Sequence, residues 1–532
     1  MLLPLLREAE AGGPLWLCRL RADFAKMPDA MPLYLRLTCP DGTRRDYALR
    51  LPAWETEEER SFLRGYLCAH AYNLLSAFSG SQLRFFCDGA AEELAGEVAP
   101  CFDRPDGLGK VKNIARRVCG GLTFAVSPLA DYEALPAAAA PQRSALGASL
   151  RELAEAAARG GLVGLDVGGS DIKLAAALDG RLLYTEEYDW NPAASPDAEG
   201  LLAPMLALLD AAKARIEAAG GTLTGVGVSF PDVVIRDRIV GGETPKTRGM
   251  RENPALDYET EFLRLRDLKD AVLARCAPGA RCRICNDGSM AAFTAAMELA
   301  AAGEDALISD GVIAHSLGTD LGTGWLLPDG SIPPIPLEMY DLLLDLGSFP
   351  SAALPPEDLR SSRNENSGMP GLRRALGQAA AYRLAWARDP ALLKSFVEER
   401  DGLLLIPTAP EDLRKPALAH LMALAEQGNA DAEEIFRQIG RNLAVVAGEM
   451  AWIFGSLPPV RFLFGRFVKS RRCFALMCEG FAGSGLFVRL ESADENMANS
   501  PLMRELAARE GVTVAQFGQA VGALCFALSG EE

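Results

Sequence analysis

Leu162-Val-Gly-Leu-Asp-Val-Gly-Gly-Ser-Asp-Ile-Lys173 is an apolar run that ends in a paired-glycine turn. A strand of this kind delivers Asp166 to its end. Gly168 and Gly169 then allow backbone conformations and close approaches that side chains forbid. Successive amides in such a turn form an anion-binding nest, Ser170 adds a hydroxyl, and Asp166 is placed to hold Mg²⁺ through water. Taken alone, the stretch also fits a plain hairpin with an acidic strand end. The same pattern returns at Val312-Ile-Ala-His-Ser-Leu-Gly-Thr-Asp-Leu-Gly-Thr-Gly324, where Thr319 and Thr323 offer hydroxyls beside glycines. Between the two, a strand ending in Cys285-Asn-Asp-Gly288 runs straight into a helix. Two phosphate-cradling turns with a carboxylate between them describe a phosphotransferase that closes around a cleft.

The rest of the chain is organised around these segments. From about residue 150, strands and helices alternate: strands over 161–167, 174–178 and 181–188, a helix over 198–219, strands over 223–230 and 281–285, and a helix over 288–302. The pattern then repeats with strands over 311–317 and 322–327, a helix over 431–455, a strand over 460–464 and a helix over 514–528. Two similar halves that each open on a glycine-rich hairpin predict an internally duplicated, two-lobe α/β fold. The halves are set at 150–305 and 306–532. Residues 1–145 read as a separate accessory α+β unit. In it, 15–24 and 31–51 alternate at strand period, 55–78 has helical spacing, and Pro136–Pro141 forms a linker.

Composition narrows the function classes. At 532 residues the chain is too long for one core, and its formal net charge of −17 opposes a nucleic-acid partner, which needs clustered Lys and Arg. The most apolar stretch, 443–464, is interrupted by Glu449, Pro458, Pro459 and Arg461, so no membrane span is expected. Charge appears too early at the N-terminus for a signal peptide, and a cytoplasmic location is the expectation. Twelve scattered cysteines, several within apolar runs, fit a reducing compartment. Cys276, Cys282 and Cys285 lack the second ligand pair of a zinc site, so Cys282 and Cys285 read as strand residues and no structural zinc is expected. His315 lies in an apolar run and reads as a hydrogen-bonded core histidine. Asp287 is the residue placed to take a proton from a bound hydroxyl, although Asp287 or Ser289 could equally cap the following helix.

The ordered motifs resemble the sugar-kinase branch of the actin-like ATPase (hexokinase–actin–Hsp70, ribonuclease H-like) superfamily. The ROK (repressor, open reading frame, kinase) family of glucokinase-like proteins is the nearest pattern. Asp166-Val-Gly-Gly-Ser170 is similar to that family's first phosphate motif, Cys285-Asn-Asp-Gly288 to the segment that carries its catalytic base, and Leu317–Gly324 to its second phosphate motif. Phe464-Gly-Arg-Phe467 stands where the family has a Gly-Gly adenosine loop, and Gly518–Ala523 resembles its C-terminal helix. Val228-Ser-Phe-Pro231 and Thr244-Pro-Lys-Thr247 resemble hexokinase sugar-contact segments. The likeness covers residues 160–530.

The resemblance implies ATP-dependent phosphorylation of a hexose or amino-hexose hydroxyl, with ATP and Mg²⁺ as cofactors and Asp287 as general base. Asn286, Glu338, Pro231 and Thr247 would hold the sugar. Asp166, Gly168, Gly169, Ser170, Lys173, Gly318, Thr319, Gly322 and Gly465 would hold nucleotide and phosphates, with Asp166 also organising Mg²⁺. A homodimer is implied by the family alone. The chain departs from the family pattern where Pro336–Asp341 and Arg363–Gly368 replace the histidine-bearing sugar motif and its zinc loop, and where Arg466 replaces a glycine. Those departures keep open a non-catalytic sugar sensor, and more weakly an ATPase or scaffold that docks another protein.

Overall fold

The computed structural model describes residues 2–11, 13–104, 107–135, 146–242, 244–317, 321–347, 354–363, 368, 371, 373–408 and 411–530. The N-terminal unit is built on strands β1 (Met31–Thr38) and β2 (Arg44–Leu51), helix α1 (Glu57–Phe78), strand β3 (Gln82–Phe86), helix α2 (Lys110–Cys119) and strand β4 (Thr123–Ser127). Its sheet runs β2-β1-β3-β4, antiparallel except for the β3/β4 pair. Thr56 and Glu59 form a reciprocal capping box at the start of α1, which satisfies two of the amides a helix leaves unpaired. From Tyr66 to Phe78 this helix is buried on every side, as expected of a helix inside a core rather than on a surface.

Residues 15–24, expected to be a strand, are largely helix: Leu17–Lys26 is helical. Leu17, Leu20 and Phe24 point inward together, a spacing of three and four that belongs to a helix face and outweighs the local alternation.

The first lobe contains β5 (Gly161–Val167), β6 (Asp171–Leu178), β7 (Arg181–Asp189), helix α3 (Ala198–Ala218), β8 (Leu223–Phe230) and β9 (Arg281–Asn286), followed by helix α4 (Asp287–Ala301). Its sheet has the order β9-β8-β5-β6-β7, with β5–β7 antiparallel and β8 and β9 added parallel to β5. The second lobe contains β10 (Val312–Leu317), β11 (Leu321–Leu326), helix α5 (Ala430–Phe454), β12 (Val460–Gly465), helix α6 (Arg471–Ala482) and β13 (Arg489–Ser492), followed by helix α7 (Val514–Phe526). Its order, β11-β10-β12-β13, with one antiparallel hairpin and two parallel strands, repeats β6-β5-β8-β9. Four strands of the first sheet are therefore repeated in the second, and β7 has no counterpart among the described residues.

The helices that end the two lobes are exchanged. Helix α4 leaves the first sheet and packs on β10 and β11, whereas α7 leaves the second sheet and packs on β5, β6 and β8. The second contact is backbone to backbone. A Cβ on Gly164 or on Gly227 would each lie 1.9 Å from a carbonyl of α7, those of Ala520 and Ala523. Only glycine lets the helix sit that close.

The N-terminal unit shares one hydrophobic core with residues 313–481 of the second lobe. Tyr47 donates to the Ile453 carbonyl at 2.8 Å, Arg21 pairs with the buried Glu449 at 2.9 Å, and Asn73 exchanges two hydrogen bonds with the Leu343 backbone. No helix among the described residues is long and apolar enough to cross a membrane.

Candidate active site

Strands β5, β8 and β9 are parallel neighbours, so their C-terminal ends open on one edge of the sheet, where ligands of open α/β sheets bind. Asp166 ends β5 opposite Ser229 of β8, and Ser229 Oγ donates to its Oδ1 at 2.8 Å. Burial pushes the Asp166 carboxyl up to about 6. The Ser229 bond and Lys173 oppose that rise, while the charge of Asp287 adds to it. Asp166 and Asp287 therefore feel each other across the sheet edge.

Asp287 is the first residue of α4. The expected ambiguity over which residue caps this helix resolves to neither candidate: Asn286 is the N-cap, and its Oδ1 accepts the Gly288 amide at 2.9 Å. Asp287 Oδ1 receives the same amide at 2.9 Å. The Asn286 amide group donates to the Asp232 carbonyl at 2.9 Å, tying this strand end to the segment after Pro231.

What brings the second hairpin here is another glycine pair. A Cβ on Gly324 would lie 1.8 Å from the Gly288 carbonyl, and one on Gly288 would lie 2.3 Å from the Thr323 carbonyl. The backbone of β11 thus rests on the residue next to Asp287.

The first glycine turn is closed by the Gly168 amide donating to the Asp171 carbonyl at 2.7 Å, and its outer face is braced by Trp190 Nε1 on the Gly168 carbonyl. Gly169 and Ser170 are exposed at the tip, with Ser170 Oγ on Asp171 at 2.9 Å. Lys173, expected at the phosphates, has its ammonium on Asp171 and 3.9 Å from Glu187. It acts as a counter-charge within the hairpin. Lys246 was overlooked among the candidates. Its Cε would stand 3.5 Å from a Cβ on Gly169, and its charge also reaches Asp232. The signal available in the sequence was the Thr-Pro-Lys-Thr turn itself, which leaves a cation at the tip of a short loop.

Thr247, expected to touch substrate, is fully buried and donates to the Gly242 and Thr244 carbonyls. Its hydroxyl is used inside its own loop, which corrects that expectation. Thr323, expected to offer its hydroxyl to phosphate, is likewise consumed. It lies 3.2 Å from His315 Nδ1, and Arg461 lies 2.8 Å from His315 Nε2. Arginine can only donate, so Nε2 accepts and Nδ1 carries the proton. Burial and the Arg461 charge hold His315 neutral, and it is the hydrogen-bonded core histidine that its apolar setting suggested.

Gly318 and Thr319 lie outside the described residues, as do Asn364–Ser367. Gly322 pairs with Ser316 across the hairpin. Gly465 ends β12 beside Leu317 with φ +100°, next to where the second turn begins, and Arg466 follows it exposed. Cys282 and Cys285 are buried in β9. Among the described residues, no group of three His, Cys, Asp or Glu side chains is arranged to hold a metal.

Glu338 lies within electrostatic reach of Asp232. Its Oε2 is buried with no hydrogen-bond partner, and burial pushes its carboxyl up to about 8, partly offset by Lys110 and reinforced by Asp341 and Asp232. Asp232, itself pushed up to about 6 by burial, accepts the Val233 and Gly242 amides at 2.7 and 2.9 Å. Pro231 is buried between Phe230 and this carboxylate.

No family model matches the chain, and no curated protein matches it. Among solved structures it is similar to a ROK family glucokinase from Streptomyces griseus in complex with glucose and AMPPNP. That pair shares 20% identity over 70% of this chain and 100% of the other, with a TM-score of 0.43. It is similar to a ROK hexokinase from Thermus thermophilus, at 18% identity over 69% and 97% of the chains and a TM-score of 0.42. It is also similar to a ROK family transcriptional regulator, a homolog of the E. coli MLC protein, at 15% identity over 69% and 81% and a TM-score of 0.42. The fold assignment stands on the repeated strand order and the exchanged helices: this chain has the duplicated two-lobe actin-like ATPase fold, with an α+β unit at its N-terminus.

Proposed function

We propose that this protein transfers the terminal phosphoryl group of ATP to a hydroxyl of a hexose or amino-hexose, with Asp287 as general base. One observation carries the reading: Asp287 stands at the open end of β9 on a helix N-terminus, electrostatically coupled to Asp166, with the second hairpin resting on its neighbour Gly288. In this scheme Asp287 takes the proton of the acceptor hydroxyl as that oxygen bonds to the terminal phosphorus. The bond from that phosphorus to the bridging oxygen breaks, and ADP leaves with the electron pair.

The tip at Gly168, Gly169 and Ser170 would hold phosphate oxygens, with Gly318, Thr319, Gly322 and Gly465 on the opposing side. Lys246 would neutralise the group in transfer. Asp166, one oxygen on Ser229 and its carboxylate facing Asp287, suits a cation, and Mg²⁺ bound there would supply charge neutralisation for the phosphates. Asn286, the Pro231 segment and Glu338 would bind sugar hydroxyls. Most of the acceleration would come from positioning and fixed charge.

A sugar sensor without phosphoryl transfer is the second reading, and one observation favours it: the exposed Arg466 beside Gly465, where the resemblance places a glycine. A coupled ADP-release assay over a panel of hexoses and amino-hexoses separates the two. Sugar-dependent turnover that falls by about two to four orders of magnitude in Asp287→Ala supports the kinase. Sugar binding by calorimetry without turnover supports the sensor.

A further inference from the structure

Helix α2 of the N-terminal unit reaches both the turn at 338–341 and the loop at 232–242. Val111, Ile114 and Ala115 form its buried face. Lys110 and Arg117, seven residues apart, emerge together at one edge of that face, about 10 Å from each other along the axis. Lys110 Nζ lies 3.1 Å from Asp341 Oδ2, a pair whose members are 16% and 3% exposed, and its charge also acts on Glu338. Arg117 donates to the Gly241 carbonyl, lies 2.9 Å from Glu259 and acts on Asp232. Asp232 and Glu338 act on each other. The four groups thus form a ring that the helix closes: Lys110, Glu338, Asp232, Arg117.

The preceding helix secures the turn at 338–341 from behind. The Leu337 and Glu338 amides donate to the Ala77 and Ser76 carbonyls at the end of α1, at 2.9 and 3.0 Å. Helix α1 is buried in the core shared with the second lobe, so this anchor is rigid. Leu337 itself adopts φ +51°, a conformation that costs a branched side chain energy and persists only where surrounding contacts impose it.

We propose that the N-terminal unit is a fixed wall of the acceptor side of the cleft, acting through Lys110 and Arg117 as positioning residues. Lys110 fixes the turn that carries Glu338, and Arg117 fixes the loop from Asp232 to Gly242. One rigid helix then sets the distance between the two segments that would grip a polyhydroxylated acceptor. The nature of that acceptor rests on the kinase reading; the clamping of the two segments does not.

Hydrogen–deuterium exchange tests the clamp without any substrate. Lys110→Met should accelerate amide exchange in 337–342, and Arg117→Met in 232–242, each by about tenfold or more, while the sheets exchange as in the unsubstituted protein. Unchanged exchange in the matching segment of a folded variant overturns the proposal. If Arg117→Met does not fold, Arg117→Lys, which keeps a charge but loses the fork, should loosen 232–242 by a smaller factor, and no loosening there overturns it.

Given an active sugar, Lys110→Met should raise the acceptor KM about tenfold with kcat within about threefold, and Lys110→Arg should restore it. A fall in kcat at constant KM overturns the positioning role. If no sugar supports turnover, the kinase reading fails, and the exchange result still decides the clamp.

Discussion

The two hairpins share one backbone plan but carry different chemistry. Counting back from Gly168 and Gly318, the first glycine of each turn, Asp166 corresponds to Ser316 and Leu165 to His315. In the first hairpin the outer position is a carboxylate facing Asp287, and the inner one is an apolar residue in the core. In the second, the outer position is a hydroxyl, and the inner one starts a buried stack of Thr323, His315 and Arg461. Duplication copied the scaffold, and single side chains then divided the labour. Among the described residues, the first hairpin alone carries a carboxylate at this position, while the second is held together by polar contacts of its own.

The largest effect expected from breaking this difference lies in the buried stack. His315→Leu removes the nitrogen acceptor of a fully buried guanidinium, leaving it Met450 Sδ, and should cost about 3 kcal/mol in urea unfolding. Adding Arg461→Leu makes the second hairpin apolar like the first and should recover most of that loss. If the double variant is as unstable as the single one, the stack is not the source of the cost.

Next comes the glycine seat each hairpin provides for a helix. Gly164→Ala and Gly324→Ala should each lose about 1–3 kcal/mol through forced repacking, but only Gly324→Ala presses on Gly288 and should lower sugar-dependent turnover as well. Equal turnover in the two variants would contradict the placement of Asp287.

The smallest effect concerns pH. Asp166 has a folded pKa raised to about 6, so the folded chain holds this proton more tightly than the unfolded chain. The group's contribution to stability therefore declines as pH rises from about 4 to about 6. The proposed turnover, which needs the ionised form, is lost as pH falls through about 6. Ser229→Ala removes a bond to the carboxylate and should move that acid limb upward by about one unit, roughly 1.4 kcal/mol. An unmoved or lowered limb would assign it to another group.

Much of this was legible in the sequence because glycines and β-strand runs are local signals. The hairpins, the strand–helix junction at Asn286-Asp287 and the repeated lobe order follow from residues close together in the chain. The illegible parts depend on which faces meet. Nothing in 57–78 says that its buried sides belong to a core shared with 430–454, and nothing in Leu337-Glu338 says that its amides will be anchored by Ser76 and Ala77. The hydroxyls of Thr247 and Thr323 and the ammonium of Lys173 were available by residue type, yet partners contributed by the fold consume them. Lys246 gained its place because the fold sets its loop against a turn distant in the chain, at Gly169.

The exchange of α4 and α7 also sets an order of events during synthesis. The backbone groove at Gly164 and Gly227 is filled by residues 520–523, more than 290 positions later in the chain than Gly227. A nascent chain halted before Val514 leaves that face of the first sheet open to water and to other chains. The first lobe is therefore among the earliest parts to be made and among the last to be finished. Such long-range closure slows folding and prolongs exposure of an apolar sheet face. Ribosome-held chains should gain protease resistance over 161–230 in one late step, as α7 emerges, and not gradually as the first half is translated.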